Sequence, residues 1–233
     1  MKRSRFFPRR GRAMTRLETF TDAAFAFAAA LLAISIDDVP STYPALIEAL
    51  KGAPAFAASL GIILMFWYAH QRWSDRYGLE DLPSVLLTFA LIMVVMIYVY
   101  PLKIMFQSGF SFFSNGWFPS EFELETLFQF KVLVTLYGIG FFALCGLIAA
   151  LYWYAWHQRA RLEMQPEEIF DTAAESLAWL FVASFGLLSI VLAWTLPEAL
   201  LPLAPSVYGL LAVFGPLIGV VQNRRSRKRF GHQ

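Results

Sequence analysis

Unbroken apolar runs of about 20 residues or more constrain this chain above everything else, because that is the length a helix needs to cross the hydrocarbon core of a bilayer. They lie at 17–36, 55–74, 84–106, 127–156, 174–195 and 203–222. Strands of a membrane barrel would alternate polar and apolar residues along such a run, so the pattern predicts an all-α polytopic membrane protein with six transmembrane helices. Composition agrees: 58% of the 233 residues are hydrophobic and only 15% charged, and the mean hydropathy is +0.54. A soluble domain, and with it a soluble enzyme, is excluded on these grounds. The fourth run is overlong and predicts a tilted or projecting helix. The stretch 107–123, rich in Phe, Ser and Gly, reads either as an ordinary outer loop or as a re-entrant piece.

The net charge of +2 says little, but the placement of charge says more. Lys2, Arg3, Arg5, Arg9, Arg10, Arg12 and Arg16 precede or begin the first run, and Arg224, Arg225, Arg227, Lys228 and Arg229 follow the last. Arg72 and Arg76 fall after the second run, and Arg159 and Arg161 after the fourth, leaving Lys51, Lys103 and Lys131 for the opposite side. This asymmetry predicts both termini in the cytoplasm, which requires an even number of spans. The expected organisation is a basic cytoplasmic arm (1–15), a six-helix membrane domain (16–222) and a basic cytoplasmic tail (223–233), in the cell membrane. A basic start before an apolar run also fits a secretory signal peptide, but Asp22 near its start and its continuation to Ile36 predict a retained helix. The basic ends carry no nucleic-acid recognition module, so orientation and anionic lipid explain them, with no nucleic-acid partner expected.

Trp67, Tyr68, Trp73 and Tyr77 in the second run, and Trp153, Tyr154 and Trp156 in the fourth, read as an interfacial anchoring belt. Single Cys145 offers no intramolecular disulfide. His70, His157 and His232 have no paired ligand spacing, and neither a phosphate loop nor a nucleophile elbow is present, so no catalytic residue, metal site or cofactor is expected. Glu163, Glu167, Glu168, Asp171 and Glu175 read as a solvated cytoplasmic face.

The first run carries the most information. Residues 16–22 read RLETFTD, followed by AAFAFAAALLAISIDD, and the second run contains FWYAH. Arg16, Phe20, Thr21 and Asp22 fill an R-x-x-x-F-[ST]-D pattern, with Thr keeping the hydroxyl of the usual Ser, and Phe66, Trp67 and His70 fill F-W-x-x-H. On these two motifs the chain resembles the transmembrane protein 175 family of potassium-permeable channels. The resemblance implies one six-helix repeat per chain, a homotetramer, and a central pore lined by the first helix of each subunit. It also implies control by apolar side chains in place of a carbonyl filter, conducting potassium or other monovalent cations among membrane lipids. A TVGYG-like filter is absent here.

At about 100° per residue, Phe27, Leu31, Ile34 and Asp38 form one stripe along the first helix. On pattern alone this stripe reads first as packing within one subunit; the resemblance turns it toward a pore. Four copies around an axis would place rings of Phe27, Leu31 and Ile34 as a constriction that gates by dewetting, with Asp38 gathering cations at the outer mouth. Seven alanines between 23 and 33 would let helices approach closely. Relative to the resemblance, Phe27 stands where isoleucine is usual and Ala30 where threonine is common, which bears on conductance and potassium preference. Asp22 lies about 140° from Phe27 and needs a partner. A network of Arg16, Asp22, His70 and the Trp67 indole is expected to supply it; the plainer alternative leaves Arg16 and His70 among the headgroups. Two other functions compete. In a proton-coupled or other secondary transporter, Asp22 and His70 would bind the coupling ion, although no internal inverted repeat is visible. A non-conducting membrane scaffold would carry no flux at all.

Overall fold

The computed structural model describes residues 10, 11, 14–34, 40–120, 122 and 124–211, and every regular element among them is helical. In chain order these are α1 (Arg16–Ile34), α2 (Tyr43–Lys51), α3 (Ala53–Tyr77), α4 (Leu82–Phe113), α5 (Leu127–His157) and α6 (Pro166–Thr195). Short helical turns follow at Glu198–Leu200, Leu203–Ser206 and Val207–Leu210. Five segments are long and apolar enough to span a bilayer: α1, α2 with α3 as one stretch, α4, α5 and α6. The sixth expected span, 203–222, lies for its larger part outside the described residues.

Local chemistry explains several boundaries. Thr15 caps α1 by accepting from the Glu18 N–H at 3.1 Å, while Glu18 accepts from the Thr15 N–H at 2.9 Å, a reciprocal capping box. Thr126 and Gln129 build the same device at the start of α5. Gly78, at φ 57°, closes α3 in the left-handed conformation that side chains resist. Between α1 and α3, Thr42 caps α2 and Pro44 opens it, so a short helix fills the stretch between the first and second expected spans. The expected loop or re-entrant piece at 107–123 is corrected as well. Residues 107–113 are the last turns of α4, because continuing the helix keeps backbone groups bonded beside lipid. Asn115 and Gly116, both at positive φ, then turn the chain.

The long helices alternate in direction. One end of the bundle gathers the start of α1, the end of α3, the start of α4, the end of α5 and the start of α6. Hydrogen bonds across that end run from Ser74 to Glu18, from Tyr154 to Asp81 and from Arg161 to Asp81. At the other end the Trp194 indole donates to Thr135, and Lys131 lies over the Trp194 ring.

The core sits among α3, α4 and α5, with Phe66, Trp73, Tyr77, Leu91, Phe141, Leu144, Ile148 and Tyr152 buried in it. Trp73 and Tyr77 are therefore not belt residues. The Trp73 indole donates to the Leu151 carbonyl at 2.8 Å, a bond it can make only inside the bundle. Helices α5 and α6 touch backbone to backbone: a Cβ built on Gly138 would lie 2.8 Å from the Gly186 carbonyl oxygen. One built on Gly186 would lie 2.6 Å from that of Gly138, a spacing only glycine tolerates. Exposed apolar side chains such as Leu86, Phe89, Ile97, Leu177 and Leu180 cover the outside, as suits a protein whose solvent is lipid.

Candidate functional site

Helix α1 has two unlike faces. Thr21, Phe25, Ala28 and Leu32 are buried against the rest of the chain, where α1 packs on α3 and α4. Across the helix, Phe20, Ala23, Ala26, Phe27, Ala30, Ala33 and Ile34 are open, Phe27 being 56% exposed and Ile34 74%. Leu31 lies at the edge of this face, half-buried and packed against the core. Asp38, expected at the mouth of a pore, lies outside the described residues.

The polar residues of the motif occupy the first two turns. Phe20 is 59% exposed, whereas Thr21 is buried and its hydroxyl donates back to the Leu17 carbonyl at 2.7 Å. Asp22 is half-buried and accepts from the Trp67 indole N–H at 2.8 Å. The other two members of the expected network stand apart from this bond. His70 is buried and shares a 2.9 Å hydrogen bond with the Thr88 hydroxyl of α4, its ring beside Trp73, while Arg16 is exposed. The division has a geometric cause. Trp67 and His70 are three residues apart on α3, so they point along neighbouring but distinct directions, one toward α1 and the other toward α4.

Glu18 and Ser74 belong to the same collar and escaped the sequence reading. Ser74 Oγ donates to Glu18 Oε1 at 2.7 Å, tying the first turn of α1 to the last turn of α3. The T-x-x-E spacing of Thr15 to Glu18 was the signal that could have found it. Nor is the acidic stretch on α6 uniformly solvated. Glu168 is only 1% exposed and is gripped by Arg10, whose two terminal nitrogens lie 2.6 and 3.0 Å from its oxygens. Hydrogen bonding to Glu168 raises the Arg10 pKa above its ordinary value, outweighing partial burial. A buried carboxylate survives only where a charge meets it, and the arm supplies that charge.

Among the described residues no group of His, Cys, Asp or Glu could hold a metal ion. The open face of α1 consists of alanine, phenylalanine and isoleucine, which neither coordinate ions nor transfer protons. It can pack against lipid or another apolar surface, or wall a narrow dry passage.

Comparison with known proteins bears on the choice. The family described as endosomal/lysosomal potassium channel TMEM175 matches residues 16–101, the part of the chain that holds both motifs. A protein of Marivirga tractuosa named "Potassium channel" is 33% identical over 191 residues, covering 80% of this chain and 77% of the relative. Among solved structures, a threonine-to-alanine variant of the potassium channel MtTMEM175, crystallised with a nanobody fusion, superposes with a TM-score of 0.78 at 31% identity. That match covers 97% of this chain and all of the other. A lysosomal potassium-selective channel TMEM175 homolog from Chamaesiphon minutus shares the fold at a TM-score of 0.59 and 20% identity, over 89% and 97% of the two chains.

Proposed function

Because this multi-pass membrane protein belongs to the TMEM175 family of potassium channels, we propose that the chain is itself a potassium-permeable cation channel, passive and tetrameric, with α1 of each subunit lining a central pore. One observation supports the assignment of α1 above all others: its apolar, alanine-rich face is left open by the chain's own packing while the opposite face is buried. Turned toward a symmetry axis, Phe27 and Ile34 would form the narrowest rings, with Leu31 at their flank, the small Ala30 between them and Ala23 a turn before Phe27. Water between such rings gains few hydrogen bonds, so the resting pore is dry and closed. Asp38 would stand at the outer mouth, where an acidic ring concentrates cations.

In this reading Asp22 and Trp67 hold α1 against α3 and do not touch the ion. The ends carrying Arg72, Arg76, Arg159 and Arg161 face the cytoplasm of a cell membrane, as the excess of basic residues there supports. The basic arm and tail then lie on the cytoplasmic side against anionic lipid. Potassium as the favoured ion follows the relatives. Phe27 and Ala30 are the positions in this chain that set how strongly it is favoured.

The test is passive cation flux from liposomes holding the reconstituted protein. Phe27→Asn and Ile34→Asn should each raise flux about tenfold, which corresponds to removing ~1.4 kcal/mol from the barrier. Leu31→Asn should do so less strongly, because that side chain also packs inward. Ala29→Asn, on the other side of the helix, should not raise flux. If assembled Phe27→Asn and Ile34→Asn conduct no better than wild type, the open face of α1 is not the gate.

A further inference from the structure

Arg10 and Gly11, ahead of α1, are seated against the bundle, and the seat reaches α6. Arg10 grips buried Glu168 with both terminal nitrogens, and Arg76 of α3 flanks the same carboxylate at 3.8 Å. The Gly11 N–H donates to the Asp75 carbonyl at 3.2 Å. A Cβ on Gly11 would lie 2.9 Å from the Ser74 carbonyl oxygen, and one on Gly78 would lie 3.0 Å from the Gly11 nitrogen. Two backbones therefore meet there with no room for a side chain. A few residues later, Thr15 and Glu18 cap α1, and Glu18 is held by Ser74. Helix α1 packs on α3 and α4, while α6 packs chiefly on α5, so Arg10, a few residues ahead of α1, meets an element that is not among the main packing partners of α1.

We propose that Arg10 and Gly11 are positioning residues for the first helix: their seat on Glu168 and on the end of α3 holds the start of α1 in register with α6. Arg suits the task because its planar fork meets a carboxylate at two points, fixing direction as well as distance. Gly11 suits it because only a backbone fits. Unseating the arm frees the first turns of α1 without touching the face that contains Phe27 and Ile34. The consequence for ion flow rests on the channel reading above; the positional claim does not.

Amide hydrogen exchange on the full-length oligomer tests the position, and liposome flux tests its consequence. Arg10→Gln removes the clamp, and Gly11→Val fills the seat while leaving both charged groups in place. Both variants, eluting as the wild-type oligomer, should exchange faster over residues 14–24 and unchanged over α5. Cation flux should rise about fivefold, the lower end of what coupling between sites supplies. Arg10→Lys, which keeps the charge but not the planar fork, should fall between wild type and Arg10→Gln in both readouts, a grading that loss of general stability does not predict. Wild-type exchange over 14–24 in both variants overturns the proposal. So does faster exchange spread through every helix, which would make the arm mere fold support. If exchange responds locally while neither wild type nor Phe27→Asn passes ions, the arm still positions α1 and it is the channel reading that fails.

Discussion

Asp22 is a carboxylate two turns into a membrane-spanning helix, and its observed partner is a single indole. Removing that donor leaves a half-buried acceptor without its match, whereas removing both groups leaves nothing unmatched. Trp67→Phe is thus expected to destabilise the detergent-solubilised protein by about 1.5–3 kcal/mol, the range for a hydrogen bond to a charged group. Tyr68→Phe, on an exposed neighbour, should cost little. The double variant Asp22→Leu with Trp67→Phe should cost less than the two single changes added together, as thermal unfolding of the four proteins will read. Strict additivity would mean that the bond contributes nothing. Both residues could be picked out from their motifs, but their pairing was read too broadly. His70 and Arg16 carry charge or polarity at the right depth, and nothing in a linear sequence says that the His70 ring turns to α4.

At the scale of elements, two contacts set how the helices meet. Gly138 and Gly186 let α5 and α6 touch through their backbones, so Gly186→Ala must push the helices apart or strain them, at a cost of about 1–3 kcal/mol. Gly146 on the same α5 has open space around it. Gly146→Ala is therefore expected to be neutral or to stabilise by about 0.5–1 kcal/mol through helix propensity, and the two melting curves should move in opposite directions or at least differ clearly. The second contact joins the start of α4 to the end of α5 through Asp81. Burial pushes this carboxyl up, but hydrogen bonds from Tyr154, Ser84 and Arg161 outweigh it and hold the pKa below the ordinary 3.8. A carboxyl depressed in the folded state contributes its full stability above its unfolded pKa and loses it as pH falls through the folded one. Acidification below about pH 4 should therefore loosen this tie. Asp81→Asn should lower the neutral-pH Tm by about 2–4 °C, the shift for ~1 kcal/mol at this chain length, and reduce the further fall on acidification. An unchanged acid response in Asp81→Asn would place the acid-labile group elsewhere.

For the whole molecule, orientation is the property on which the pore reading depends. The arginines Arg10, Arg16, Arg72, Arg76, Arg159 and Arg161 gather at one end of the bundle, and Lys51 and Lys131 mark the other. Cys145 is fully buried, so Cys145→Ser gives a background free of accessible thiol. On that background, single cysteines at exposed Glu48 and Trp117 should react with an impermeant maleimide added outside intact cells. Cysteines at exposed Glu80 and Glu163 should react only after the membrane is opened. Labelling in the reverse sense would invert the protein.

The all-helical class, five of the six expected spans and the alternation of their ends were legible in the linear order of residues, because a bilayer permits few solutions to a run of about 20 apolar side chains, whereas α2 and the full lengths of α4 and α6 were not. The motifs at 16–22 and 66–70 likewise identified the family without coordinates. Hydropathy cannot tell a lipid-facing side chain from a buried one, since both are apolar, and this is why Trp73 and Tyr77 were read as belt residues when they are core. It cannot measure charge pairing across long separations either: Glu168 looked solvated until Arg10, 158 positions away in sequence, was found on it. Which side of α1 is buried and which is open depends on where α3 and α4 lie. A helix with apolar residues all round carries no polar stripe to mark the difference, so only the tertiary structure decides it.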